Sequence, residues 1–178
     1  DTEWNLHCTT HTYDPSIIRC LVKTKSLDFP LYKELNAKSN FMIPFKDITL
    51  ADKDTITSFT MKSDRRNCDL SFSNLCSWRF LYDTQFAVVD NFLVFKFWAG
   101  EQLAYMMPVG TGDLKAVLWE LIEDARKENQ HFCMLGVCSN MRADLEAILP
   151  EQFTFTEDRD YADYIYLRSD LSTLKGKK

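Results

Sequence analysis

QFAVVDNFLVFKFWAGEQLAYMMPVGTGD, residues 85–113, holds three apolar runs and the two short links between them. Gln85 to Val89, Phe92 to Trp98 and Gln102 to Met107 are rich in β-branched and aromatic residues, which suit a pleated, half-buried surface. Asp90-Asn91 and Ala99-Gly100 leave room only for tight turns, and such links join antiparallel neighbours. The stretch therefore predicts an antiparallel meander. Period-two geometry places Leu93, Phe95 and Phe97 on one face of the middle strand, and Lys96 predicts partial solvation of the other.

Downstream, Leu114, Val117, Leu118, Leu121, Ile122 and Ala125 recur at the spacing of one helical face, predicting a helix from Asp113 to about Asn129 with a favourable Glu123–Lys127 pair. Phe132 to Val137 suits a short buried strand. Met141, Leu145, Ile148 and Leu149 align on a helix that Pro150 stops, and Phe153–Thr156 and Tyr164–Leu167 read as further strands. Upstream, Thr49-Leu50-Ala51-Asp52 resembles a capping box with Asp in place of Glu, heading a helix over about 50–62 that buries Ile56 and Phe59. A second short helix is expected after Ser73, with Leu75, Trp78, Phe80 and Leu81 as its bulk. Residues 1–41 differ from the rest. They have no sustained apolar period and are punctuated by Pro15 and Pro30, so they are expected to form a poorly ordered or atypical appendage, with a domain over 42–178. Met42 is a candidate natural start.

The 178 residues suffice for one domain of ordinary size, and 46% hydrophobic residues with only five glycines and five prolines describe a packed chain. The net charge of −5 argues against nonspecific nucleic-acid binding, which relies on Lys and Arg to neutralise phosphates. The acidic excess lies in residues 42–178, whereas Lys175-Gly176-Lys177-Lys178 runs the other way. The six cysteines follow no disulfide spacing, so reduced thiols and a cytoplasmic location are expected. No run of about 18 apolar residues suggests a transmembrane segment, and no secretory pattern opens the chain.

A helix pair, a meander, a glycine-containing loop, a long helix, then strand, helix and strand is the element order of the GNAT acyltransferase fold. The segment Asp69-Leu70-Ser71-Phe72-Ser73-Asn74-Leu75 with Trp78, the strand Phe92 to Trp98, Met107-Pro108-Val109-Gly110 and the tail Leu171 to Lys178 narrow that likeness. Over about 42–178 the chain resembles the bacterial family related to the C-terminal domain of phosphatidylglycerol lysyltransferase. The resemblance implies an α/β (α+β) GNAT-like acyl-CoA N-acyltransferase fold, a mixed sheet with an antiparallel meander flanked by helices. It also implies two such domains in tandem, of which this chain would supply the first. Relatives move an aminoacyl group from charged tRNA to a lipid or peptide amine or hydroxyl, with the chemistry largely near the second domain.

That resemblance makes Gly110, Thr111 and Gly112 candidates for an acyl-CoA pyrophosphate site at a helix N-terminus. The residues themselves equally allow a tight strand-to-helix turn, with Asp113 favouring the helix dipole rather than an anion. Lys175, Lys177 and Lys178 look like the start of a basic connecting arm that contacts substrate, or a solvated terminal charge run. Acid and base groups are sparse. The fourth-strand position offers Gln102, Tyr105 and Glu101 at its edge, while Tyr161, Tyr164 and Tyr166 cluster later and read as packing residues. His7, Cys8, His11 and Cys20 match no zinc module, His131 reads as structural, and Cys133 and Cys138 have no neighbour to activate a thiol. No metal site or catalytic residue is assigned.

Three functions remain open on these grounds. The first is the N-terminal half of an aminoacyl or acyl transferase, inactive alone, with acyl-CoA or aminoacyl-tRNA as donor and a lipid or amine as acceptor. The second is a noncatalytic binding or scaffolding domain. The third is a single-domain acetyl-CoA-dependent N-acetyltransferase.

Overall fold

The structure is a computed structural model that describes residues 19–25, 42–63, 65, 67–158 and 172. Its strands are β1 (Arg19–Thr24), β2 (Lys46–Asp47), β3 (Gln85–Val89), β4 (Phe92–Ala99), β5 (Gln102–Met106), β6 (Val109–Gly110), β7 (Cys133–Val137) and β8 (Phe153–Asp158). Its helices are α1 (Lys53–Thr60), α2 (Phe72–Tyr82), α3 (Leu114–Lys127) and α4 (Ser139–Ile148). The strands form one mixed sheet in the order β2-β3-β4-β5-β7-β1-β8, with β6 beside β4.

The meander forms as read. Asp90 and Asn91 both take positive φ, 44° and 63°, the backbone that a two-residue hairpin turn with the twist of its strands requires. Gly100, at φ 65°, makes the second link. Beyond it, three steps along β4, from Lys96 to Leu93, are matched by four along β5 and β6, from Tyr105 to Val109. β5 and β6 are thus one strand broken by a one-residue bulge at Met106 to Pro108. A bulge tolerates proline, which has no N–H for the ladder.

A core lies on each face of the sheet. On one, α3 sets Val117, Leu118, Leu121, Ile122 and Ala125 against Val94, Leu103, Tyr105 and Met134, with Met141 and Leu145 of α4 beside them. Each fully buried aliphatic side chain there contributes roughly 1.5–3 kcal/mol. Asp113 caps α3, its Oδ1 accepting from Ala116 N at 3.1 Å. On the other face, Ile56 of α1 and Leu70 and Leu75 beside them cover Phe86, Leu93 and Phe95. Within α3, Glu123 accepts two bonds, of 2.6 and 2.7 Å, from the Arg126 guanidinium.

Three expectations shift. Lys96 does not solvate its face: its side chain is only 12% exposed and pairs with Asp124 of α3 at 3.2 Å. α2 begins at Phe72 rather than after Ser73, because Ser71 Oγ accepts from Asn74 N at 3.3 Å and serves as its cap. Most consequentially, Arg19–Thr24 lies inside the stretch read as an appendage, yet forms β1, antiparallel to β7 on one side and β8 on the other. Val22 is fully buried in the α3-side core. The rest of 1–41, apart from Lys25, and the expected strand Tyr164–Leu167 lie outside the described residues.

The start of α1 shows how local chemistry fixes an element. Asp52 Oδ2 accepts from Thr49 N at 2.9 Å and Thr49 Oγ1 at 2.6 Å, heading the 3-10 turn Leu50–Asp52 that leads into α1. Lys46 Nζ reaches Asp52 Oδ1 at 2.6 Å. Hydrogen bonds from Lys46 and then Thr49 outweigh burial and draw the carboxyl from 3.8 to about 2. A depressed folded-state pKa stabilises above the unfolded value and loses that contribution as pH falls through the folded one. Asp52→Asn is therefore expected to flatten the fall in urea midpoint between about pH 4 and about pH 2 relative to the parent. An unchanged slope over that window would count against this anchor.

Candidate functional site

The α2 side of the sheet is covered unevenly. α1 and α2 close over β3, β6 and the first half of β4, but the far half of β4, with β5, β7 and β1, is left beside a trough of about 660 Å³. Its floor carries Phe97, Ala99 and Gln102, then Met106, Leu135, Leu21 and Lys23. Leu75, Trp78 and Tyr82, on one side of α2, line it as well. Arg65, Asn67, Asp69 and Asn74 gather polar groups along it from the α1–α2 connection and the first turn of α2. Predominantly apolar concavities with a few convergent polar groups are the usual form of a small-molecule site.

Its position follows from topology. β5 and β7 are the parallel pair among the described strands, joined through α3, with Tyr105 opposite Met134 and Met106 opposite Leu135. Past Met106, β5 enters the bulge while Val137 of β7 pairs with Cys20 of β1. The trough includes Met106, Met107 and Gly136 at this parting. Ligands favour the carboxyl ends of parallel strands, and bulges commonly adjoin active sites because they re-aim local groups. Arg65 holds the bulge: Nη1 donates to Met107 O at 2.6 Å and Nη2 to Pro108 O at 2.5 Å. Its charge thus serves carbonyls that the ladder's interruption would otherwise strand.

The glycine loop has a packing explanation. A Cβ on Gly110 would stand 2.1 Å from Asn91 O and 2.8 Å from Phe92 Cα, because β6 runs tight against the β3–β4 turn. Gly112, at φ 145°, lies against Asp90 O and the Phe92 ring. At the α3 N-terminus, Leu114 N donates to Gly112 O, Ala116 N to Asp113 Oδ1 and Val117 N to Asp113 O. Leu114 N and Ala116 N are thus taken up at the α3 N-terminus, and Asp113 places a negative charge beside them.

Tyr105 lies on the sheet's opposite face. It is fully buried, stacked on Phe132 at 5.4 Å, and donates to Asp124 Oδ2 at 2.7 Å. Burial first, and then Asp124, hold its phenol far above the ordinary value, so it remains protonated. Gln102 lines the trough and donates to Leu103 O at 2.9 Å. Burial pushes the Cys133 thiol up to about 11, only partly offset by Lys23, which keeps it protonated at neutral pH. No group of three or more His, Cys, Asp and Glu suited to a metal occurs among the described residues. His7, Cys8, His11, Tyr161, Tyr164, Tyr166, Lys175, Lys177 and Lys178 lie outside them.

The sequence reading missed the trough and Arg65. One signal was present for β1: Ile17-Ile18-Arg19-Cys20-Leu21-Val22 after Pro15 is a short apolar run of strand character. Nothing in the local pattern around Arg65 announces its bond to carbonyls 42 and 43 residues away.

Comparison with known proteins agrees with the architecture. A solved structure of a conserved protein of unknown function from Bacteroides thetaiotaomicron VPI-5482 is similar at 89% identity and a TM-score of 0.74, covering 76% of this chain and 46% of that one. The chain thus spans less than half the length of that relative. No curated protein matches. Among the described residues no helix is long and apolar enough to cross a membrane. The family model for phosphatidylglycerol lysyltransferase, C-terminal, matches residues 60–178, and the chain therefore belongs to that family.

Proposed function

We propose that this chain is the N-terminal half of an aminoacyl or acyl transferase of GNAT type, inactive by itself, whose trough beside β5 and β7 forms part of the substrate cleft. The observation that carries the reading is the trough's place: it includes the parting of a parallel strand pair, at a bulge, in a domain of a lysyltransferase family. The donor is an aminoacyl-tRNA or an acyl-CoA, and the acceptor a lipid or an amine. Among the described residues no acid–base pair supports chemistry, since Tyr105 faces away and is held by Asp124. The remaining groups belong to a second GNAT-like domain. Family membership supports the class of reaction, and the trough's position supports the place.

A noncatalytic binding domain is the second reading, favoured by the same lack of an acid–base pair among the described residues. The single-domain acetyltransferase is disfavoured by the α3 N-terminus, whose donors serve Gly112 and Asp113. Assay of the 178-residue chain with charged tRNA or acyl-CoA should give no turnover, and extension by the portion that the longer relative carries should produce it. Turnover by the short chain alone would refute the half-enzyme reading. An inactive extended protein would favour the binding domain, and a rise in Tm with acetyl-CoA would revive the acetyltransferase.

A further inference from the structure

α2 carries large apolar side chains beyond the one it buries. Residues 72–82 read Phe-Ser-Asn-Leu-Cys-Ser-Trp-Arg-Phe-Leu-Tyr, with Arg79 the single charge. Leu75 is buried against the sheet, yet Trp78, Phe80, Leu81 and Tyr82 are 52, 76, 65 and 40% exposed. Large exposed apolar side chains grouped on one helix mark an interaction surface. Arg79 does not relieve it, because its guanidinium lies over the Phe80 ring at 3.9 Å and donates to Cys76 O.

We propose that Trp78, Phe80, Leu81 and Tyr82 form the seat for a further portion of the same polypeptide, the portion that the Bacteroides thetaiotaomicron relative carries outside the matched segment. Three observations select this occupant. A relative 89% identical has more than half its chain beyond the match, so a covalently tethered body of comparable size is at hand. Tethering raises the effective concentration enough for a modest apolar patch to remain covered. The only cation of α2 is folded back on its own helix, and the chain carries −5 overall, which gives an anionic bilayer little to hold.

The seat also has a consequence for the trough. Trp78 and Tyr82 both belong to the patch and line the trough, their rings 6.3 Å apart. A body resting on α2 therefore abuts the trough and narrows its access to water. This deepens the half-transferase reading and rests on it for what the trough does, but not for what covers α2.

Hydroxyl-radical footprinting reads the side chains directly. In the 178-residue chain, Trp78, Phe80 and Tyr82 should be modified readily at any protein concentration; in the chain extended by the relative's remaining portion, modification should fall several-fold. Leu81→Asp in the extended chain should restore it and speed proteolysis between the two portions, while leaving the Tm of the short chain close to that of the parent. Equal modification in both chains overturns the proposal. So does protection of the short chain that grows with its own concentration, which means a second copy, or protection that appears only with phosphatidylglycerol vesicles, which means a lipid surface. Protection in an extended chain without turnover upholds the seat and removes the transferase reading; turnover without protection does the reverse.

Discussion

Replacing Asp124 with Ala is expected to cost about 3 kcal/mol of folding stability, the lower part of the range for breaking a buried ion pair. Two groups lose their partner at once. Tyr105 O–H, fully buried, donates to Asp124 Oδ2 at 2.7 Å, and Lys96 Nζ stands 3.2 Å from the same oxygen. Both charged side chains are mostly buried, at 12% and 15% exposure, so solvent screens the pair only weakly. Lys96 keeps two weaker attachments: Glu128 at 3.5 Å, itself half exposed, and the Phe45 ring at 4.5 Å. These keep the loss from reaching the upper end of the range.

Urea denaturation of three variants separates the causes. Tyr105→Phe should cost about 1 kcal/mol, the usual net worth of one hydrogen bond. Lys96→Met combined with Asp124→Leu should recover most of the loss, because removing both charges removes the desolvation penalty along with the attraction. A loss below about 1 kcal/mol for Asp124→Ala would show that the cluster is solvated rather than buried. The cluster ties β4, β5 and α3 together beneath the sheet, so its integrity fixes the floor on which the trough is built.

Gly110→Ala should destabilise by on the order of 3 kcal/mol, the top of the ordinary range for overpacking. The atoms that a new Cβ would meet are all backbone, Asn91 O at 2.1 Å, Phe92 Cα at 2.8 Å and Asn91 C at 3.0 Å, so no side chain can swing aside. β6 would have to leave β4, which would loosen the bulge and the two carbonyls that Arg65 holds. Gly100→Ala is the control: it too has positive φ, but nothing lies within 4 Å of its Cβ, and its cost should be about 1 kcal/mol of left-handed strain. The contrast also tests the role of the glycine loop. A Gly110→Ala variant that kept its urea midpoint but bound acyl-CoA more weakly than the parent would favour the phosphate-site reading over the packing one.

Much of the fold was legible because it rests on local periodicity. β-branched and aromatic runs divided by Asp90-Asn91 and Gly100 can hardly form anything but a meander, since two-residue links leave no chain for a crossover. The spacing from Leu114 to Ala125 made α3 readable for the same reason, and the Thr49–Asp52 motif marked the start of the following helix through bonds spanning three residues. The family resemblance rested on whole segments, and the match over residues 60–178 bears it out.

What the tertiary structure alone decided depends on distance along the chain. Lys96 looked like a solvated face because nothing within several residues pairs with it; its partner Asp124 is 28 residues on, brought under β4 by α3. Arg19–Thr24 looked like an appendage because a six-residue strand has too little pattern to declare itself, and its place between β7 and β8 is set by partners more than 100 residues away. The trough is the extreme case, since residues from β1, β4, β5, β7 and α2 converge on it and no window of sequence contains it. Elements follow from short-range spacing, which a linear reading captures; the candidate site follows from where those elements stop covering one another, which only packing in three dimensions determines.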